Sequence, residues 1–229
     1  MKYQYNYHEF CEMGAPHPEN PQTSLGEQIE NFQFFDLEGN PVYLTDLLDR
    51  RLVLEFGSLT CPIFQGRRAA MRALSERYPN NRFIVFYVRE AHPGETTPHH
   101  ASQQKKLQNA CLLRHRHGEE RDVFVDFLDG KVHRLLGEMP NSVFVIDTDR
   151  ALKFYSEWND VVALDHALKA LNFDLDVPQM KRYFRPIEFS VFRQTLKLAG
   201  KGAMRGFYRC WRSAFDLLIL KNIRVFLRE

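Results

Sequence analysis

The chain has 229 residues, 44% of them hydrophobic, and a formal net charge of +2 at pH 7. That length fits one α/β domain with extensions, or two small domains, with enough apolar residues to bury a core. The near-neutral balance excludes a uniformly basic nucleic-acid binder. The polar, aromatic start and the lack of any apolar run near the roughly 20 residues that span a bilayer predict neither a leader nor a membrane span.

Residues 1–24 lack periodicity and read as an irregular N-terminal arm. Phe32–Leu37 and Val42–Leu44 flank a Gly-containing turn and predict a hairpin, followed by a short helical turn over 45–48. Leu52–Phe56 predicts a strand. Met71, Leu74 and Tyr78 then share one face of a helix that stops at Pro79-Asn-Asn81. Phe83–Val88 is apolar throughout and predicts a strand buried on both faces. A loop over His92–His100, a helix over Ser102–His115, a strand over Val123–Phe127 and a short helix over Lys131–Leu136 come next. Val143–Asp147 and Ala151–Tyr155 form a second hairpin, and Asp160–Leu171 a last body helix. This order predicts a thioredoxin-like mixed sheet flanked by helices over 25–172, with a helical C-terminal extension over 173–229.

The chemistry centres on Glu55-Phe-Gly-Ser-Leu-Thr-Cys-Pro-Ile-Phe64, where a strand runs through a short loop into a helix. Pro62 suits the first helical position, so Cys61 falls at the helix N-terminus. Backbone N–H groups and the helix dipole there favour a thiolate, predicting a depressed thiol pKa. Ser58 and Thr60 are candidate hydrogen-bond donors to the sulfur or to substrate. Glu90 and His92 follow the central strand at i and i+2, a spacing that lets the carboxylate orient the imidazole and keep it protonated. Pro140, three residues before Val143, is the expected cis-proline beside the thiol. The remaining cysteines, Cys11, Cys111 and Cys210, are too scattered for a zinc site or a disulfide framework. Candidate resolving thiols are Cys111, Cys11 and an external thiol.

GSLTCPIF, followed by FYVREAHP, resembles the iodothyronine deiodinases, a peroxiredoxin-related family of thioredoxin fold, with Cys61 at the position of selenocysteine. The resemblance implies a catalytic set of Cys61, Glu90, His92 and His100. It also implies substrate-binding roles for Ser58, Thr60, Tyr87 and Pro140. It implies no metal and no cofactor beyond an external thiol reductant. The arginine that the family carries before the penultimate strand is replaced here by Asn141 and Ser142. The expected activity is a thiol oxidoreductase acting on a peroxide or a halogenated aromatic. The competing expectation is a non-catalytic adaptor built on the same fold.

Residues 178–229 carry 12 Lys/Arg and 3 Asp/Glu, a net +9 that leaves −7 for the rest. Phe207, Cys210, Trp211, Ala214, Phe215 and Leu218 form an apolar stripe flanked by Arg205, Arg209 and Arg212. The extension is expected either to pack on the body as a helical subdomain or to bind an anionic membrane or a protein partner. Nucleic acid ranks last, for want of a motif. The expected address is the cytoplasm or the inner membrane face.

Overall fold

The computed structural model describes residues 4–10, 23–209 and 219–227. Seven strands form one mixed sheet: β1 (Gln33–Phe35), β2 (Pro41–Tyr43), β3 (Leu52–Gly57), β4 (Arg82–Tyr87), β5 (Asp122–Val125), β6 (Val143–Ile146) and β7 (Leu152–Ser156). Their spatial order is β2-β1-β5-β4-β3-β6-β7. The central β5-β4-β3 trio is parallel, and β6 and β7 close the far edge antiparallel. This is the thioredoxin-like arrangement that the element order predicts.

Alternation along the strands divides the core. Leu52, Leu54, Phe56, Ile84, Phe86, Phe144 and Ile146 face one side, against Leu44 and Leu47 of a 3₁₀ turn and Val132 of α3 (Lys131–Leu135). Val53, Val85, Val123, Val143 and Val145 face the other. There they meet α1 (Pro62–Arg77), α2 (Gln103–His115) and α4 (Val161–Asn172). The predicted face of α1 is buried through Met71, Leu74 and Tyr78. The Ser102 hydroxyl caps α2 by accepting from Lys105 N–H, and Asp160 caps α4 at Val162 and Ala163 N–H.

The extension contributes α5 (Phe189–Ala199), α6 (Lys201–Arg209) and α7 (Lys221–Leu227). It is packed on the body. Helix α5 lies on α1, and a Cβ at Gly66 of α1 would stand 2.6 Å from Ile187. Thr96 and Thr97 N–H donate to the Ala199 carbonyl, and Gly202 N–H donates to Glu95. Of the predicted apolar stripe, only Phe207 lies among the described residues. It packs with Leu196, Ala199 and Ala203 inside the extension. Cys210 to Leu218, with Arg212, lie outside them, as does Cys11.

Residues 4–10 of the N-terminal arm are held against the body. Tyr5 and Tyr7 are buried. Asn6 donates to the Leu128 carbonyl, and Tyr5 hydroxyl lies 2.9 Å from His133 Nδ1. Alternating aromatic residues in this segment supply the anchors.

Candidate active site

Strands β3 and β4 run parallel with Gly57 opposite Tyr87. The Cys61 loop and the Glu90–His92 segment therefore leave the sheet side by side, at the carboxyl edge where α/β sites assemble. The turn into α1 is tight. A Cβ at Gly57 would lie 2.5 Å from the Phe64 ring, so no larger residue fits there. Cys61 is the N-cap of α1 and Pro62 occupies N1.

Glu90 organises the site. Its carboxylate is fully buried and accepts from Thr60 N–H and hydroxyl at 3.0 and 2.7 Å on Oε2. On Oε1 it accepts from the Tyr87 hydroxyl and from Asn109 Nδ2 at 3.2 Å, and His100 Nε2 stands 3.1 Å away. Burial alone would raise its pKa, but hydrogen bonds from His100, Tyr87 and Thr60 outweigh it and hold the carboxyl below its usual range.

Three expectations are corrected here. Glu90 pairs with His100 and not with His92. The His92 backbone N–H is turned to the Thr60 hydroxyl at 3.1 Å, its Nδ1 has no hydrogen-bond partner among the described residues, and its ring stacks on Phe10 at 4.1 Å. Burial lowers its pKa to about 3, so it is neutral rather than protonated. The hydrogen bonds that Ser58 and Thr60 hydroxyls make among the described residues go to the backbone and to Glu90 rather than to the sulfur: Ser58 accepts from Ala91 N–H at 3.4 Å, and Thr60 bridges Glu90 and His92. The Cys61 thiol is not depressed. Burial pushes it up to about 12, against the opposing backbone N–H groups of Phe64 and Ile63 and with added repulsion from Glu55 and Glu90. At 1% exposure the helix terminus cannot offset desolvation.

Pro140 is likewise corrected. No peptide bond of the described residues is cis. Trans is the cheaper isomer, and this loop is fixed by side chains instead. Met139 packs on Trp158 and Phe184 beside Ile63. Asn141 donates to Glu55 Oε1 and to the Phe56 carbonyl, both at 2.9 Å.

Glu55 was not singled out by sequence, yet it anchors a second buried network beneath α1. Asn159 Nδ2 also donates to its Oε1 at 2.6 Å, and Arg121 donates to Oε2 at 2.7 Å. Arg121 is itself paired with Glu119. The available signal was a carboxylate inside an otherwise apolar strand, which demands a partner. Asn109 gave no comparable signal.

The arm and extension close the site. Tyr7 hydroxyl donates to the Ala91 carbonyl at 2.8 Å, and burial, with Cys61 nearby adding to it, pushes the Tyr7 pKa up to about 12. Glu9 accepts from Arg205 and Arg209 of α6 at 3.1 and 3.0 Å. Cys111 makes no bridge to Cys61; both are free, and Cys111 Sγ points to the Leu37 carbonyl at 3.7 Å.

The iodothyronine deiodinase family model matches residues 17–157, more than half of the chain. Thyroxine 5-deiodinase from sheep is 31% identical over 111 residues, covering 44% of this chain and 35% of that protein. The chicken protein of the same description is 27% identical over 157 residues, covering 64% and 57%. This chain thus spans about a third of the length of the sheep relative it matches. Two solved structures share the fold. A hypothetical protein from Sinorhizobium meliloti superposes with a TM-score of 0.55 at 18% identity, covering 70% of this chain and 91% of the other. An uncharacterised protein from Geobacillus kaustophilus gives 0.56 at 17% identity, with 74% and 93% covered. With the family match spanning the Cys61 loop, the Glu90–His100 segment and the closing hairpin, the chain belongs to the iodothyronine deiodinase family.

Proposed function

We propose that this chain is a single-thiol oxidoreductase in which Cys61 acts on a peroxide or on the halogen of an aromatic ring. The observation that carries the reading is the convergence of the α1 N-cap cysteine with a buried Glu90–His100 couple at one sheet edge. With a peroxide, the sulfur attacks oxygen and the O–O bond breaks. The thiol's proton ends on the leaving oxygen, giving Cys61 sulfenic acid and water or an alcohol. With an aryl halide, the sulfur takes the halogen, the carbon–halogen bond breaks with its electron pair on carbon, and a proton is delivered to that carbon. In both cases an external thiol attacks Cys61 sulfur, releasing water or halide with its proton. A second thiol then completes the disulfide and regenerates Cys61.

His100 carries the proton and Glu90 holds the imidazole in place. Tyr87 and Thr60 position Glu90, and Ser58 holds the Ala91 backbone. His92 and Pro140 shape the cover rather than move protons. Turnover requires the arm to lift, since a buried neutral thiol is a poor nucleophile. That same buried thiol favours the adaptor as a second reading. We assign the protein to the cytoplasm, with the basic extension as its contact to a membrane or partner.

The test is consumption of hydrogen peroxide and of an iodinated phenol with dithiothreitol as reductant. Activity on either that vanishes in Cys61→Ser supports the enzyme. Activity on neither, or activity that survives Cys61→Ser, leaves the adaptor.

A further inference from the structure

Between Phe189 and Arg209 the chain carries five basic residues and no acidic one. All five (Arg193, Lys197, Lys201, Arg205 and Arg209) are exposed. Large apolar side chains stand exposed among them: Phe189 at 74%, Leu198 at 56% and Tyr208 at 65%. The inward sides of α5 and α6 are already used: the two helices pack on each other, and α5 packs on α1. An outer face that mixes cations with apolar side chains is the composition of an interfacial helix, whose apolar residues enter the headgroup region while its cations meet phosphates. A nucleic-acid surface would use the cations and leave Phe189 and Leu198 in water.

The same face holds the cover over Cys61. Glu9 is the acidic partner of both Arg205 and Arg209. These are exposed ion pairs, which are individually weak and screened by salt. Phe10, next in the chain, lies on His92, and Tyr7 is bonded to the Ala91 carbonyl. We propose that the outer α5–α6 face docks on an anionic lipid surface, and that lipid phosphates displace Glu9 from Arg205 and Arg209, loosening the arm and exposing Cys61. This rests on the reading of Cys61 as the working thiol only for its purpose, not for its test, because alkylation reports access whether or not the thiol turns over.

The experiment uses the full chain with phosphatidylglycerol or phosphatidylcholine vesicles, across a salt series. Binding is read by co-sedimentation, and labelling of Cys61 by iodoacetamide through peptide mass spectrometry, with Cys111 as the control for unfolding. The expected result is salt-sensitive binding to phosphatidylglycerol alone, with Cys61 labelling at least about tenfold faster and Cys111 unchanged. The double variant Arg193→Glu, Lys197→Glu should lose both responses while keeping its vesicle-free labelling rate. Glu9→Gln should label faster without vesicles and still bind them. No binding, equal binding to both vesicles, or tighter binding to duplex DNA than to vesicles would overturn the proposal. So would binding that leaves the Cys61 rate unchanged. Loss of turnover with these responses intact would count against the catalytic reading alone.

Discussion

His100 Nε2 lies 3.1 Å from Glu90 Oε1, and neither side chain is reached by solvent. An imidazole so placed has its orientation set by the carboxylate and its other ring nitrogen, Nδ1, left without a partner among the described residues. That free nitrogen is the one able to serve a substrate.

Replacing His100 by Gln should therefore lower turnover by about 10²–10⁴-fold, the usual contribution of general acid–base help. Labelling of Cys61 by iodoacetamide should change far less. The two rates, measured on the same preparations, separate proton delivery from thiol access. Equal losses would mean that His100 only supports the fold.

His92 predicts a pH effect on stability. Its folded pKa, about 3, lies below the unfolded value near 6.5. The folded state keeps it neutral, so its contribution is complete above about pH 6.5 and is lost as pH falls toward 3, at up to about 1.4 kcal/mol per pH unit. Glu90, also lowered, acts in the same direction at the acid end. Denaturant titrations of wild type and His92→Phe from pH 7 to 4 should show a shallower acid limb in the variant. Its turnover should stay within about tenfold of wild type, because a phenyl ring keeps the stacking on Phe10 and His92 is assigned no proton transfer.

Most of the fold was legible. Apolar strands of the right length, a Pro after Cys61 and a Ser before α2 fix those elements locally. The site was legible only as a set of residues. Spacing put Glu90 and His92 on one side of an extended segment, but the chain turns after β4. Thr60 then captures the His92 backbone while His100, ten residues from Glu90, swings in. Loop closure of that kind is decided by long-range contacts, here to Ala199 and Gly202 of the extension. The thiol shift is hidden from sequence for a related reason: helix-terminus stabilisation is local, whereas the burial of Cys61 depends on distant segments, Tyr7 of the arm among them.

Thr60 has two jobs, donating to Glu90 and accepting from His92 N–H. Thr60→Val keeps the shape and leaves a buried N–H without its acceptor. It should cost about 1–3 kcal/mol in chemical denaturation and reduce turnover, whereas Thr60→Ser should restore most of both. A Val variant as stable as wild type would contradict the assigned hydrogen bonds.

Glu55 ties Arg121, Asn141 and Asn159 together under the Cys61 helix. Removing one member of a buried charged pair costs about 3–5 kcal/mol. Glu55→Ala should fall near the lower end, since Glu119 still pairs with Arg121. The measurement is the urea midpoint at constant m-value, and a loss below about 1 kcal/mol would show that the network is not cooperative.

The central claim is that Cys61, and not the other thiols, performs the chemistry. The direct measurement is mass spectrometry of the protein after graded hydrogen peroxide or an iodinated phenol, without reductant, with dimedone present to trap sulfenic acid. The account predicts a dimedone adduct on Cys61 with the peroxide, or one equivalent of dehalogenated phenol per Cys61 with the iodinated phenol, absent in Cys61→Ser and accelerated in Glu9→Gln. Modification of Cys111 ahead of Cys61, or a Cys61 that remains unmodified even in Glu9→Gln, would contradict it.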